Sequence, residues 1–337
     1  MTFTQAIPDR PLPDPTKHVN YVHGMVLGVG DFTQEFAYLS GRDRSLARAI
    51  GGYGTVEGLR VAYEAANAGH GPRVTVAPGA AFTPAGRLVR VPVAQCADLV
   101  EWLAAHRDDV VAALGGPPPA SGTLRLAVVL GYAECLTDQV PVPGEPCRGD
   151  EDLTAPSRLR DDFRLELRFA PPPPGRDLPS PPAHDEETAI RRFAAWLRRV
   201  PVDAGAGGTV ADFLDAIRTA AHQPAPDSPP APGCPPADTF LSQPPPPELR
   251  IPEDRAAEFL RAAFRLWVTE LLPCFRTEDP DDDGVLLARL DVDVLHDPLG
   301  ERELLVGPGG VTVDEQERPF LVQSRLVQEW QIARYAP

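Results

Sequence analysis

Lysine is almost absent from this 337-residue chain: Lys17 is the single example, and arginine supplies the rest of 32 basic residues set against 48 acidic ones. The resulting net charge of −16 leaves no basic face of the kind that nucleic acids and anionic membranes require, so neither is expected as a partner. Long apolar runs are missing as well. Nothing approaches the roughly 20 residues of a membrane span, so none is expected, and residues 1–18 carry neither the basic cluster nor the apolar core of a secretory signal. Cysteine is scarce and scattered, at Cys96, Cys135, Cys147, Cys234 and Cys274, with no CxxC pair. An odd count without a signal peptide fits a reducing compartment, and the expectation is a cytoplasmic protein.

The signatures of catalysis are also lacking. There is no G-x-S-x-G and no H-E-x-x-H, and the seven histidines fall in loops or at polar helix ends. Asp161-Asp162 is a carboxylate pair, but adjacent residues leading into a strand point apart. Gly28-x-Gly30 lacks the third glycine of a dinucleotide fingerprint, with Thr33 in its place, and Gly307-Pro308-Gly309-Gly310 reads as a loop. The run from Asp279 to Gly284 begins like a calcium loop, yet Pro280 is second and Leu290 stands where the bidentate glutamate belongs. Cys135 and Cys147 flank Asp138 and Glu145, and with His70 or His184 they leave three readings open: free thiols, a disulfide or a metal site. No catalytic residue, cofactor or metal ligand is assigned on this basis.

Proline, by contrast, is abundant. The chain has 41, more than twice the usual share of about 5%, concentrated in a few stretches. These punctuate an α+β pattern: an N-terminal helix plus a small antiparallel β-meander, a mixed or antiparallel sheet, inserted helices and proline-rich tethers. Five segments follow: an extended arm over 1–17, a helix-plus-meander domain over 18–116 and a β-rich part of the sheet domain over 117–170. A helical insertion flanked by proline-rich linkers then covers 171–248, and a helix and C-terminal strands completing the sheet domain cover 249–337. Strands are predicted over 58–64, 73–77, 80–82, 87–91, 123–134, 163–169 and 284–295, and helices over 98–114, 184–199, 209–221 and 253–272. Residues 135–156 read as a polar loop and 223–248 as a polyproline-like spacer.

The most informative stretch is the first helix, predicted over 31–50 with Asp31 as its cap. Phe32, Phe36, Leu39, Asp43, Leu46 and Ile50 recur in alternating steps of four and three, with Asp43 the one polar member. That spacing makes a narrow seam suited to a two- or three-helix contact, whereas an ordinary surface helix shows a wider stripe. The alternative is that the same series packs on the sheet of its own domain. These six residues are the proposed interaction surface, and a homo-oligomer is among the assemblies it allows.

Several stretches together resemble a family of structural proteins from phage-tail-like contractile injection systems. The residues that carry the resemblance are Met25, Asp31, Phe32, Glu35 and Tyr38, then Gly54, Val56, Gly58 and Leu59, then Pro78, Gly79, Ala81, Gly86 and Arg87. GYAECLTDQVPVPGEPC, VLLARLDVDVL and RPFLVQSRLVQEW look like further blocks of the same proteins, and about half of the chain is covered. His23 departs from the pattern, where asparagine is expected, as does Gly28-Val29-Gly30. The resemblance implies a non-enzymatic subunit at the baseplate or around the spike, with baseplate, spike, tube or sheath proteins as partners and no active site. Two other classes stay open: an adaptor or carrier whose proline runs bind an effector or peptide, and a hydrolase with an unrecognised site.

Overall fold

The computed structural model describes residues 13–116, 121–141, 154–182, 185–205, 207–222, 234–235, 239–276, 283–298 and 303–335, with side chains through 329. Among them the architecture is α+β, and the chain divides into two units, Met1–Pro182 with Pro280–Pro337, and Ala183–Asp279.

In the first unit, helix α1 (Val29–Gly51) starts two residues before the predicted Asp31. Asp31 still serves the helix start, because its Oδ2 accepts from the backbone N–H of Gly28, 2.8 Å away. Gly28 is therefore a helix start and not part of a nucleotide fingerprint. The antiparallel meander follows as β1 (Gly54–Gly58), β2 (Val61–Glu64), β3 (Arg73–Val76), β4 (Gly79–Phe82), β5 (Leu88–Val91) and β6 (Gln95–Asp98). Its strands are shared between two three-stranded sheets, ordered β1-β4-β5 and β2-β3-β6. The strand predicted over 58–64 breaks because Gly58 and Leu59 both take positive φ, 63° and 57°, which redirects the chain from one sheet to the other. A Cβ at Gly58 would run into the carbonyl oxygen of Pro78, and one at Gly79 into that of Glu57, so the two sheets are joined where bare backbone crosses bare backbone.

The single helix expected over 98–114 is two, α2 (Leu99–Ala105) and α3 (Arg107–Ala113), broken at His106. Asp98 caps the first by accepting from Val100 and Glu101 N–H at 2.9 and 3.1 Å. Leu99, Leu103, Val110 and Val111 are buried, and Trp102 packs partly buried beside them. They meet an antiparallel four-stranded sheet in the order β12-β11-β7-β8, formed by β7 (Gly122–Pro141), β8 (Thr154–Phe169), β11 (Val285–His296) and β12 (Leu304–Asp314). Leu124, Leu126, Val128 and Leu130 of β7 and Leu287, Leu290 and Val292 of β11 form the centre of the core with the α2–α3 pair.

Two expectations fail here. The described parts of 135–156, residues 135–141 and 154–156, are strand, the rest lying outside the described residues: β7 and β8 stay paired from Leu126↔Phe169 out to Pro141↔Thr154, well past Leu130, where the pairing with β11 ends. Cross-strand partners supply what the loop-like composition conceals, for Arg158 reaches Asp138 at 3.1 Å and Cys135 Sγ donates to Asp162 at 3.1 Å, each across the β7–β8 pair. Likewise Gly307–Gly310 lies within β12, where the N–H of Gly309 donates to Asp293 Oδ2 on the neighbouring strand at 2.8 Å.

The second unit contains α4 (Asp185–Arg199), α5 (Val210–Ala221) and α6 (Ala256–Leu266), with a parallel bridge between β9 (Val202–Asp203) and β10 (Ile251–Pro252). α6 continues through a wider turn at Trp267–Leu271 and a tight one at Leu272–Cys274. Its core stacks Phe193 on Trp267 at 4.9 Å and includes Trp196, Phe213, Phe259 and Phe275. Two segment boundaries shift accordingly. The helix expected to open the 249–337 sheet segment belongs to this unit, and the spacer over 223–248 supplies it with Phe240 and Leu241, both fully buried. A disulfide between Cys234 and Cys274 ties the same stretch to the end of the α6 extension. A bonded pair is what an oxidising compartment allows, so the cysteine count carries no weight for localisation. The described residues contain no helix long and apolar enough to cross a membrane.

Candidate functional site

Helix α1 is held by its small and polar face. The arm residues run beside it: Asp14 N–H donates to Gln34 Oε1 at 3.0 Å, and Gln34 Nε2 donates back to the carbonyls of Asp14 and Lys17. The N–H of Val19 donates to Glu35 Oε2 at 2.9 Å, and the His18 ring lies 4.9 Å from Tyr38. A Cβ at Gly41 would sit 3.2 Å from Pro15, so the absent side chain lets the arm lie close. Asp14 closes its own turn, where the Thr16 hydroxyl and Lys17 hold its carboxyl down at about 2.

On the sheet side, the turn between β4 and β5 touches the helix backbone. Gly86 has φ 78°, and a Cβ there would collide with the carbonyl oxygen of Arg44. The turn is fixed in its own right by Asp283, whose Oδ1 accepts from Ala85 N–H at 2.7 Å. Beyond the helix, Leu321 packs 3.8 Å from where side chains on Gly51 and Gly52 would begin. Leu321 sits in a segment strapped to β1, since Arg318 donates to Thr55 Oγ1, the Gly58 carbonyl and Glu315 at 2.8–2.9 Å. Burial pushes the Arg318 guanidinium below its ordinary range, and the nearby Glu315 works against that shift.

The consequence is an inverted helix. None of its 23 residues is buried. The predicted seam faces solvent, with exposures running from 50% at Leu39 through 60% and 67% at Phe32 and Phe36 to 85% at Ile50. Leu46 and Asp43 are exposed with them, and so is Val29, one heptad before Phe36. The structure thus brings all six sequence-predicted residues onto one open face and does not pack them on the domain's own sheet. The periodicity does not reveal how far the apolar surface continues. Tyr21, Val22, Val26 and Leu27 lie exposed before the helix, and Phe320 and Val322 lie exposed in the strapped segment after it. A contiguous apolar surface of this kind marks an interaction site.

Two further features are built from the sheet. Among the described residues no other strand pairs with the β7–β8 ribbon past Leu130, and its facing pair Leu136 and Leu159 is exposed on both strands. Along the same face the Tyr132 hydroxyl lies 2.7 Å from Asp161 Oδ1 and 2.9 Å from Glu134 Oε1, so one proton serves two carboxylates. Burial and these acids push that hydroxyl far above its usual range. Second, a cavity of about 540 Å³ opens between β6 and β8, each the last strand of its sheet. Its walls are Val74, Val76, Trp102, Phe163, Leu165 and Leu178. The polar lining comes from His106, Cys96 and the Arg168–Glu166 pair.

The remaining candidates from the sequence are accounted for locally. Asp161 and Asp162 point apart, the second accepting from Cys135 Sγ at 3.1 Å and from the N–H of Phe163 at 2.9 Å. That contact raises the thiol's pKa, the direction opposite to an activated nucleophile. Cys147, Glu145, His184 and residues 279–282 lie outside the described residues. His70 binds Asn67 and the Gly71 carbonyl. Among the described residues no group of three or more His, Cys, Asp or Glu side chains could hold a metal ion. Compared with known proteins, the chain matches no protein-family model and no curated protein sequence.

Proposed function

We propose that this chain is a non-enzymatic structural subunit of a phage-tail-like contractile injection particle, built in at the baseplate or around the spike. The observation that carries the reading is α1, whose apolar seam is turned outward while its polar face is fastened to the arm and the β4–β5 turn. A seam left open on a fixed support suits docking and does nothing for chemistry. The particle setting rests on the resemblance of Met25–Arg87, and several of the glycines that carry it are sites where backbone meets backbone. In this reading the protein assembles in the cytoplasm with baseplate, spike, tube or sheath neighbours. The test is mass spectrometry of purified particles, which should find the chain at a fixed ratio to the sheath subunit. Particles that lack it sink the reading.

One observation favours a second reading, an adaptor for a peptide partner: the cavity beside the β8 edge, where an extended peptide could add as a strand. The proline run 244–247 is the weaker candidate, because it lines a recess with Ala216, Thr219 and Ala220 of α5. Deleting 223–248 would remove the buried Phe240 and Leu241, so the discriminating change is Leu165→Arg in the cavity. An adaptor then loses its partner while particles stay intact; a strut does not depend on Leu165 but yields incomplete particles when Phe36→Glu disrupts the seam.

A further inference from the structure

The seam of α1 specifies what covers it. With Val29, Phe36, Asp43 and Ile50 as heptad a positions, the d positions within the helix are Phe32, Leu39 and Leu46, and all seven side chains are exposed. Glu35 and Arg42 occupy consecutive g positions flanking the seam. The arm lies against Gln34 and Gly41, both f positions on the opposite side, so among the described residues the chain's own contacts leave the seam free. A two-helix contact along all 23 residues would be about 34 Å long.

We infer that the occupant is a second copy of this chain, with the two α1 helices antiparallel. The inference rests on reading α1 as a docking face and adds the partner and its orientation. Charge decides between the arrangements. In a parallel pair, like positions share a layer, so the two Asp43 carboxylates would face each other, while Glu35 and Arg42 would meet only Ser40 and Ala47 of the other copy. In an antiparallel pair, a positions pack against d positions, and g positions flank g positions. The register that sets Phe36 against Leu39 of the other copy also sets Val29 against Leu46 and Asp43 against Phe32, and puts Ile50 just beyond the start of the other helix.

In that register Glu35 lies beside Arg42 of the other copy, twice by symmetry, and the two Asp43 carboxylates are kept in separate layers. Both groups have capacity left for a second partner. Glu35 has given only Oε2 to Val19, and exposed Arg42 rests over the Tyr38 ring, 5.7 Å from its centre, with one long bond of 3.5 Å from its Nη1 to the Tyr38 hydroxyl. Sliding the register by one heptad would place Arg42 against Arg42, so a single alignment satisfies every charge.

The experiment is sedimentation equilibrium of the purified full-length chain and three variants, with helix content followed by circular dichroism. The wild-type chain should be a dimer at micromolar concentration. Phe36→Glu should be monomeric there with unchanged helix content, since Phe36 is 67% exposed in its own chain. Arg42→Glu should raise the dimer Kd about tenfold, by turning two exposed attractions into repulsions. Glu35→Arg combined with Arg42→Glu should restore it. A wild-type chain that stays monomeric, or a dimer indifferent to Phe36→Glu, overturns the proposal. A dimer lost in Phe36→Glu but unmoved by Arg42→Glu overturns the antiparallel register. None of these results bears on membership of the particle, which mass spectrometry of particles decides separately.

Discussion

Helices α1 and α6 both carry large apolar residues at helical spacing, yet α6 places Phe259, Ala263 and Leu266 in the core of the second unit, whereas α1 buries no residue at all. The two are positioned by different parts of themselves. α6 is held by its side chains, which exclude water with Phe213, Trp267 and their neighbours. α1 is held by backbone and short polar groups: Gly86 against Arg44, Gly41 beside Pro15, and Gln34 between the carbonyls of the arm. Amphipathicity therefore says that a helix has a face to cover, and only the contacts on its other side say whether its own chain covers it.

Truncation should separate the two helices most sharply. Phe259→Ala should lower the unfolding free energy of the second unit by about 3–5 kcal/mol, the usual cost of emptying a core aromatic site. Phe36→Ala, measured where the chain is monomeric, should stay within about 0.5 kcal/mol of wild type. Equal losses in denaturant unfolding would mean that α1 packs on its own chain and would end the comparison.

Next in size is Gly86→Ala. A methyl group there meets the Arg44 carbonyl from a backbone already at positive φ, a strain of about 1–3 kcal/mol. It should speed amide exchange in α1 about tenfold or more while leaving α4 to α6 untouched. If the second unit loosens equally, α1 is not a separately fastened element.

The smallest effect belongs to the arm. The Asp14 carboxyl titrates near 2 when folded, against 3.8 for the free side chain. A depressed carboxylate pKa contributes stability that is complete above the free value and is lost as pH falls through the folded one. The arm should therefore keep its contacts with α1 through mild acid, with the Thr16 amide resonance shifting at a midpoint near 2. A midpoint near 4 would show that the Asp14–Thr16–Lys17 turn does not form.

Much of this could be read from residue order. The 3-4 spacing of Phe32 to Ile50 located the seam, alternation located the inner end of β8 at 163–169, and the apolar run over 284–295 located β11. Thr209 before Val210 marked the start of α5 where the chain begins it, with its hydroxyl accepting from Asp212 N–H at 3.1 Å. What escaped depends on partners far away in sequence. The outer half of the β7–β8 ribbon is strand because Arg158 finds Asp138, and Cys135 finds Asp162, across the pair, although its residues look like loop. Phe240 and Leu241 sit among prolines and hydrophilic neighbours, and only the helices closing over them give them a core. The seam residues themselves were legible. Their exposure was not, because it follows from Gly41 and Gly86, whose contacts are made through absent side chains.

The order of strands in the four-stranded sheet has a consequence for synthesis. β7 pairs on one edge with β8, its near neighbour in the chain, and on the other with β11, whose Val285 lies opposite Leu130 and 155 residues later. At about 5–20 residues per second, roughly ten to thirty seconds separate those two residues at the ribosome, while the whole of Ala183–Asp279 is made in between. Throughout that interval the apolar edge from Leu124 to Leu130 has no strand beside it and is open to pairing with another nascent chain. A chain stopped anywhere before Val285 keeps that edge open for good, so truncated products should be sticky even when their helical unit folds.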